Sequence, residues 1–201
     1  LDGSYEADVV KTHIDHLDIK LHDGGIGMGE VCVIAAPTSC GKSQLALNIA
    51  SRAVDRQGIS AFIFSFEMPQ KQVLKRMMHS MSGVNPRNIK AGLITEEERE
   101  KVRQSSKAVE GMNIFTSHSV RDVEDLMIHK HGIKLIVIDY LQLVPWDANK
   151  FGKTAGVSDI SHKVKQMAIE LNVAVILLSQ VNRDGARSEG GLEVYHLRDS
   201  G

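Results

Sequence analysis

Aromatic side chains are scarce. One tryptophan, three tyrosines and five phenylalanines make up 4% of the 201 residues. A surface that stacks successive bases needs more, so extensive base stacking is excluded. Cysteine is scarcer still. Cys32 and Cys40 stand without ligand spacing, which argues against disulfides and zinc and points to reduced thiols in a cytosolic type of compartment. No charge sign dominates: 24 Lys and Arg face 25 Asp and Glu. Without a global basic field, any nucleic-acid contact must be a local patch. No run approaches the ~20 apolar residues of a membrane span, no signal peptide is legible, and no repeat or low-complexity stretch occurs. The histidines form no H-E-x-x-H pattern or cluster, so His13, His16, His129 and His131 read as solvated side chains rather than metal ligands. What remains is ordinary for a globular domain: 42% hydrophobic and 24% charged residues, enough for one sizeable core. The chain opens on Leu1 rather than Met, as a portion of a longer protein would.

Four short apolar runs organise that core: "VCVIAA" (31–36), "AFIFSF" (61–66), "LIVIDY" (135–140) and "VAVILLS" (173–179). They are nearly continuous rather than alternating, as strands covered on both faces are. A further short strand is expected within "MNIFTS" (112–117). Helical patterns lie between them. "KSQLALNIASRAV" follows the first strand and "PQKQVLKRMMHSMSG" the second, with Val73, Leu74, Met77, Met78 and Met81 at core-facing spacing. "TEEEREKVRQSSKAVE" (95–110) is mostly charged and reads as solvated. "SVRDVEDLMIHKHG" and "VSDISHKVKQMAIELN" precede the third and fourth strands. Alternating strands and helices predict an α/β fold, a doubly wound and mainly parallel sheet flanked by helices. Residues 1–11 are expected to be a linker or arm and 12–201 the domain. In such sheets ligands bind beyond the carboxyl ends of the strands.

The chemistry-bearing residues fall at such ends. "APTSCGKS" lies between an apolar run and a helix, the setting a phosphate-binding loop requires. Ala36, Pro37, Thr38, Ser39, Cys40, Gly41, Lys42, Ser43 and Gln44 are the candidate nucleotide-binding residues. Backbone N–H groups and the helix N-terminus would cradle phosphate. Lys42 would reach the outer phosphates and Ser43 would hold Mg²⁺. Ala36 stands where the usual pattern has glycine, which requires its φ to stay negative. "LIVIDY" puts Asp139 at a strand end, suited to the metal's outer contact. "FSFEMP" puts Glu67 where a carboxylate could activate water, although an acid before Pro69 also suits a helix start. "LLSQVNR" puts Gln180 where a neutral amide could sense the γ-phosphate.

"AAPTSCGKS", "FSFEMP", "LIVIDYLQLV", "LLSQVNRD" and "HLRDSG" occur in that order. Together they resemble the RecA-like motor domain of DnaB-type replicative DNA helicases, from about residue 12 to 201. The "SFEM" and "DYLQL" forms separate the chain from recombinases that share the core. The rival readings are a RecA- or RadA-like recombinase and a non-hydrolysing ATP-binding interaction module. The resemblance implies a RecA-like P-loop NTPase fold, ATP or another NTP with Mg²⁺, single-stranded DNA, and a hexameric ring. It also implies 5'–3' unwinding, primase and helicase-loader partners, and a bacterial or phage-infected cytoplasm. By the same resemblance Lys42, Glu67 and Gln180 are catalytic, Ser43 and Asp139 serve the metal, and Arg76 lies near nucleotide. Arg198, Asp199 and Gly201 of "LRDSG" would hold the DNA backbone, with Asp199 where relatives usually have Glu. Arg183, Arg187, Lys150 and Lys153, in two glycine-rich polar stretches, are further DNA candidates. The family's N-terminal helical domain and its arginine finger lie outside these residues, so this chain alone is expected to turn over weakly.

Overall fold

The computed structural model describes residues 8–117, 131–139 and 157–181. The order is β1 (Val9–Val10), α1 (Asp15–Asp18), a 3-10 turn (His22–Gly24), β2 (Ile26–Gly27), β3 (Val31–Ala36), α2 (Lys42–Gln57), β4 (Ser60–Ser65), α3 (Gln70–Ser82), α4 (Pro86–Ala91), α5 (Glu96–Glu110), β5 (Ile114–Ser117), β6 (Ile133–Asp139), α6 (Val157–Leu171) and β7 (Ala174–Gln180). The main sheet has five strands in the order β3-β7-β6-β4-β5, and every neighbouring pair is parallel. The expected strands are all present, with ends shifted by a residue or two.

The near-continuous apolar runs have a direct cause. Along β4, β6 and β7, Ala61, Ile63, Leu135, Val137, Ala174, Ile176 and Leu178 face one cluster that includes α2 and α3. The intervening Phe62, Phe64, Ile136, Ile138, Val175 and Leu177 face a second cluster built on Val164 and Ala168 of α6. Both faces are covered, so alternation of polar residues has no place to appear. Helix α2 presents Ala46, Ala50 and Ala53, all fully buried, which lets it lie close to the sheet. On α3, Val73 and Met77 are buried and Met78 packs against the core. Met81 departs from the expected core position: its side chain is 37% exposed near the helix end. Helix α5 is largely solvated as its charge predicts. Its start is a capping box in which Thr95 accepts from the Glu98 N–H and Glu98 accepts from the Thr95 N–H.

The amino-terminal boundary differs from expectation. Val9–Val10 is not an arm: it pairs antiparallel with Ile26–Gly27, and Val10 is buried in the main core. The ribbon requires glycine at 25, because a Cβ there would stand 2.9 Å from the Val10 carbonyl oxygen. The ribbon is tied to the far end of α2. Lys11 N–H donates to Gln57 Oε1 at 2.9 Å, Gln57 Nε2 to the Val9 carbonyl at 3.1 Å, and Arg52 Nη1 to the His13 carbonyl at 3.0 Å. Asp18 closes the turn that follows, accepting from Thr12 N–H, Thr12 Oγ1 and His13 N–H at 2.8, 2.7 and 3.0 Å. His13 is therefore not a solvated side chain: its φ is +57° and its Nε2 is buried. His129 lies outside the described residues, and His131 packs against Phe115 with ring centroids 4.3 Å apart. No described helix is long and apolar enough to cross a membrane.

Candidate active site

Register brings the carboxyl ends of four strands to one edge. Ala36 lies opposite Gln180, and Ser65 opposite Asp139. Chain order then does the rest: the loop of residues 37–41 leaves β3, Glu67 follows β4, Asp139 ends β6 and Gln180 ends β7. β7 and β6 fill the gap between β3 and β4, the kind of crevice in which open α/β sheets bind ligands.

Ala36 ends its strand in extended form; positive φ falls instead on Ser39 (+65°) and Gly41 (+87°). That is why alanine can stand at the first position and glycine cannot be spared at the later one. A Cβ on Gly41 would meet nothing within 4 Å, so the constraint is backbone conformation rather than space. Ser39, in the left-handed region, carries about 1–2 kcal/mol of strain, of a kind that gathers at ligand clamps. Gly41 caps α2, whose first turn carries Lys42, Ser43 and Gln44. The Lys42 ammonium donates to the carbonyls of Ala36 at 2.8 Å and Pro37 at 3.0 Å.

Glu67 is held by its neighbours. Phe66 N–H donates to the Asp139 carbonyl at 3.0 Å, and Met68 N–H to Ser65 Oγ at 3.1 Å with the Met68 side chain buried. The Glu67 side chain itself is exposed. Asp139 is 4% exposed. Burial pushes its carboxyl above the usual range. The Ser43 hydroxyl, which donates to it, opposes that shift, the Glu67 carboxylate adds to it, and the Lys42 and Arg76 charges oppose it. Arg76 comes from α3, which packs Val73 and Met77 into the core. Gln180 Nε2 donates to Thr38 Oγ1 at 2.7 Å.

These side chains line one cleft of about 470 Å³: Thr38, Ser39, Gly41, Lys42, Ser43, Gln44, Glu67, Met68, Gln72, Arg76, Asp139 and Gln180. The volume is within the range of small-ligand sites. Of the expected nucleotide residues, Ala36 and Pro37 contribute carbonyls to Lys42, and Cys40 is exposed beside the cleft rather than lining it. Sequence reasoning missed Met68 and Gln72. Gln72 was within reach, because it lies one helical turn before Arg76 on the same face. The expected DNA contacts Lys150, Lys153, Arg183, Arg187, Arg198, Asp199 and Gly201 lie outside the described residues. Ser43 and Asp139 supply the hard oxygen donors that suit Mg²⁺. A buried carboxylate next to a second acid is also the kind of group that a cation stabilises.

Comparison with known proteins bears on the fold and the family. The chain is 31% identical to the replicative DNA helicase DnaB of Buchnera aphidicola subsp. Acyrthosiphon pisum, over 96% of this chain and 44% of that protein. It spans less than half the length of that relative. A solved DnaB-like replicative helicase, studied with its primase interactions, superposes with a TM-score of 0.86 at 27% identity, covering all of this chain and 51% of that one. A solved ATPase domain superposes at 0.81 and 25% identity, covering 96% and 72%. The sheet is thus that of RecA-like helicase ATPase domains. The pattern of the DnaB-like helicase C terminal domain runs through residues 9–201, and the chain belongs to that family.

Proposed function

We propose that this chain is the motor of a replicative DNA helicase, binding and hydrolysing ATP or another NTP in the cleft between α2, α3 and the strand ends. The observation that carries the reading is convergence. Lys42, Glu67, Arg76, Asp139 and Gln180 come from five separate stretches and line one cleft. The family membership and the likeness to a solved DnaB-like helicase support the same reading.

Each residue has a role that its surroundings suit. The loop N–H groups and the start of α2 bind phosphate. Lys42 exchanges its two carbonyl partners for phosphate oxygens. Ser43 and Asp139 would hold Mg²⁺, which when bound would supply charge neutralisation to the phosphates. Glu67, fixed at both neighbours, takes the proton of the attacking water. Arg76 offsets negative charge, and Gln180 contacts the γ-phosphate. An arginine from a neighbouring subunit completes the site, an effect worth about 10³–10⁵ in rate, so this chain alone turns over weakly. Assembly is a closed ring, hexameric by family likeness. Single-stranded DNA is held by Arg198, Asp199 and Gly201, with Arg183, Arg187, Lys150 and Lys153 nearby. Primase and a loader are further partners, translocation is 5'–3', and the setting is cytoplasmic.

The test is a pair of variants in the full-length protein. Lys42→Ala removes nucleotide binding. Glu67→Gln keeps binding and lowers DNA-stimulated hydrolysis by about 10²–10⁴. Retained binding in the first, or normal turnover in the second, removes the corresponding assignment.

A further inference from the structure

One contact at the β3–β7 end of the cleft has no part in the roles above. Gln180 Nε2 donates to Thr38 Oγ1 at 2.7 Å, across 142 residues of sequence. Both residues line the cleft. The two main chains are already adjacent there: Ala36 pairs with Gln180 in the register, and Val181 N–H donates to the Ala36 carbonyl at 3.4 Å. On the other side, Lys42 grips the carbonyls of Ala36 and Pro37. The first turn of the loop is therefore held from within by a cation and from the neighbouring strand by an amide.

A glutamine side chain is long, and its terminal torsion is broad. An unheld amide could turn either its carbonyl or its NH₂ toward a ligand. The NH₂ group has two donors in a fixed plane. Once one of them is committed to a hydroxyl, the plane is set and the second donor has a fixed direction. Threonine suits that task, because its branched Cβ restricts χ1 and so fixes where Oγ1 stands. Valine has the same shape without the hydroxyl, and serine has the hydroxyl without the branch.

We propose that Thr38 is a positioning residue for Gln180: its hydroxyl sets the plane of the amide, and with it the direction from which Gln180 addresses the terminal phosphate when the loop fills. This rests on the reading of the cleft as a nucleotide-hydrolysing site. Thr38 acts through Gln180, and its loss lowers turnover rather than affinity.

The experiment uses the full-length protein with single-stranded DNA and Mg-ATP, in four forms besides wild type: Thr38→Val, Thr38→Ser, Gln180→Ala and the Thr38→Val/Gln180→Ala pair. Thr38 is exposed, so the substitutions leave the fold intact, and melting curves check this. Thr38→Val is expected to lower kcat about five- to tenfold, the effect of one hydrogen bond. KM and binding of a fluorescent ATP analogue stay within about twofold. Thr38→Ser recovers most of the lost kcat. In the Gln180→Ala background, Thr38→Val costs nothing more. Three outcomes overturn the proposal: unchanged kcat, a loss carried by nucleotide affinity, or an equal loss with Gln180 absent. Wild-type protein that binds no ATP analogue would instead sink the nucleotide-site reading, and this inference with it.

Discussion

Asp18→Ala tests whether the amino-terminal ribbon is held as the geometry implies. The carboxylate accepts three hydrogen bonds, two at Oδ1 from Thr12 and one at Oδ2 from the His13 N–H. Thr12 is fully buried, so water cannot replace the lost acceptor without opening the turn. Bonds to a charged acceptor contribute about 1.5–3 kcal/mol each. They are not additive, and the half-buried carboxylate regains hydration when freed, so the expected loss is about 2–4 kcal/mol. Asp18→Asn separates the parts. Its remaining oxygen keeps both Thr12 bonds, while its NH₂ meets the His13 N–H donor to donor, so about half the loss is expected. Denaturant titration of the nucleotide-free protein gives the global term, and hydrogen exchange at Thr12 and His13 the local one. If Asp18→Ala stays within about 0.5 kcal/mol of wild type with both amides still protected, the carboxylate is not what holds the turn.

Other substitutions probe the cleft and the turn. Asp139→Asn removes a charge that is costly where it sits, since burial and Glu67 both disfavour it. Nucleotide-free protein should melt higher while Mg-dependent nucleotide binding weakens; a lower melting point would contradict the burial argument. Gly41→Ala meets no steric contact but must hold φ near +87°. A loss of about 1–2 kcal/mol, with weaker phosphate binding, is expected by calorimetry and analogue titration. His13 has its pKa lowered below 6.5, first by burial and then by Arg56. The folded state thus prefers the neutral ring, and its contribution is full above pH 6.5 and lost as pH falls toward the folded value. Asparagine tolerates the left-handed backbone, so His13→Asn should flatten the stability change between pH 7 and 5; an unchanged slope would place the titration elsewhere.

The main sheet and the cleft were legible because their causes are local. Continuous apolar runs mark strands covered on both faces, and polar residues at their ends mark the binding edge. The two-residue strands of the ribbon are too short to carry a period, and their pairing depends on the bare backbone at Gly25. The missed α4 had a capping signal, Asn85 before Pro86, whose side chain accepts from the Arg87 N–H. Met81 shows the limit of helical spacing: it shares a face with Met77, but spacing does not say where the covering neighbour ends. The Thr38–Gln180 and Asp18–Thr12 contacts follow from how strands and turns meet in space, and no window along the chain contains the first of them.

Helix α2 has a consequence of its own. Its sixteen residues form a rod of about 24 Å. One end borders the cleft lined by Lys42 and Ser43. The other is bolted through Arg52 and Gln57 to the ribbon where the described chain begins. A ligand in the cleft and a mechanical load on the ribbon therefore act on the two ends of one stiff body. Whatever free energy couples them is shared equally in both directions. A pull that loosens the loop must also be a pull that a ligand in the cleft resists.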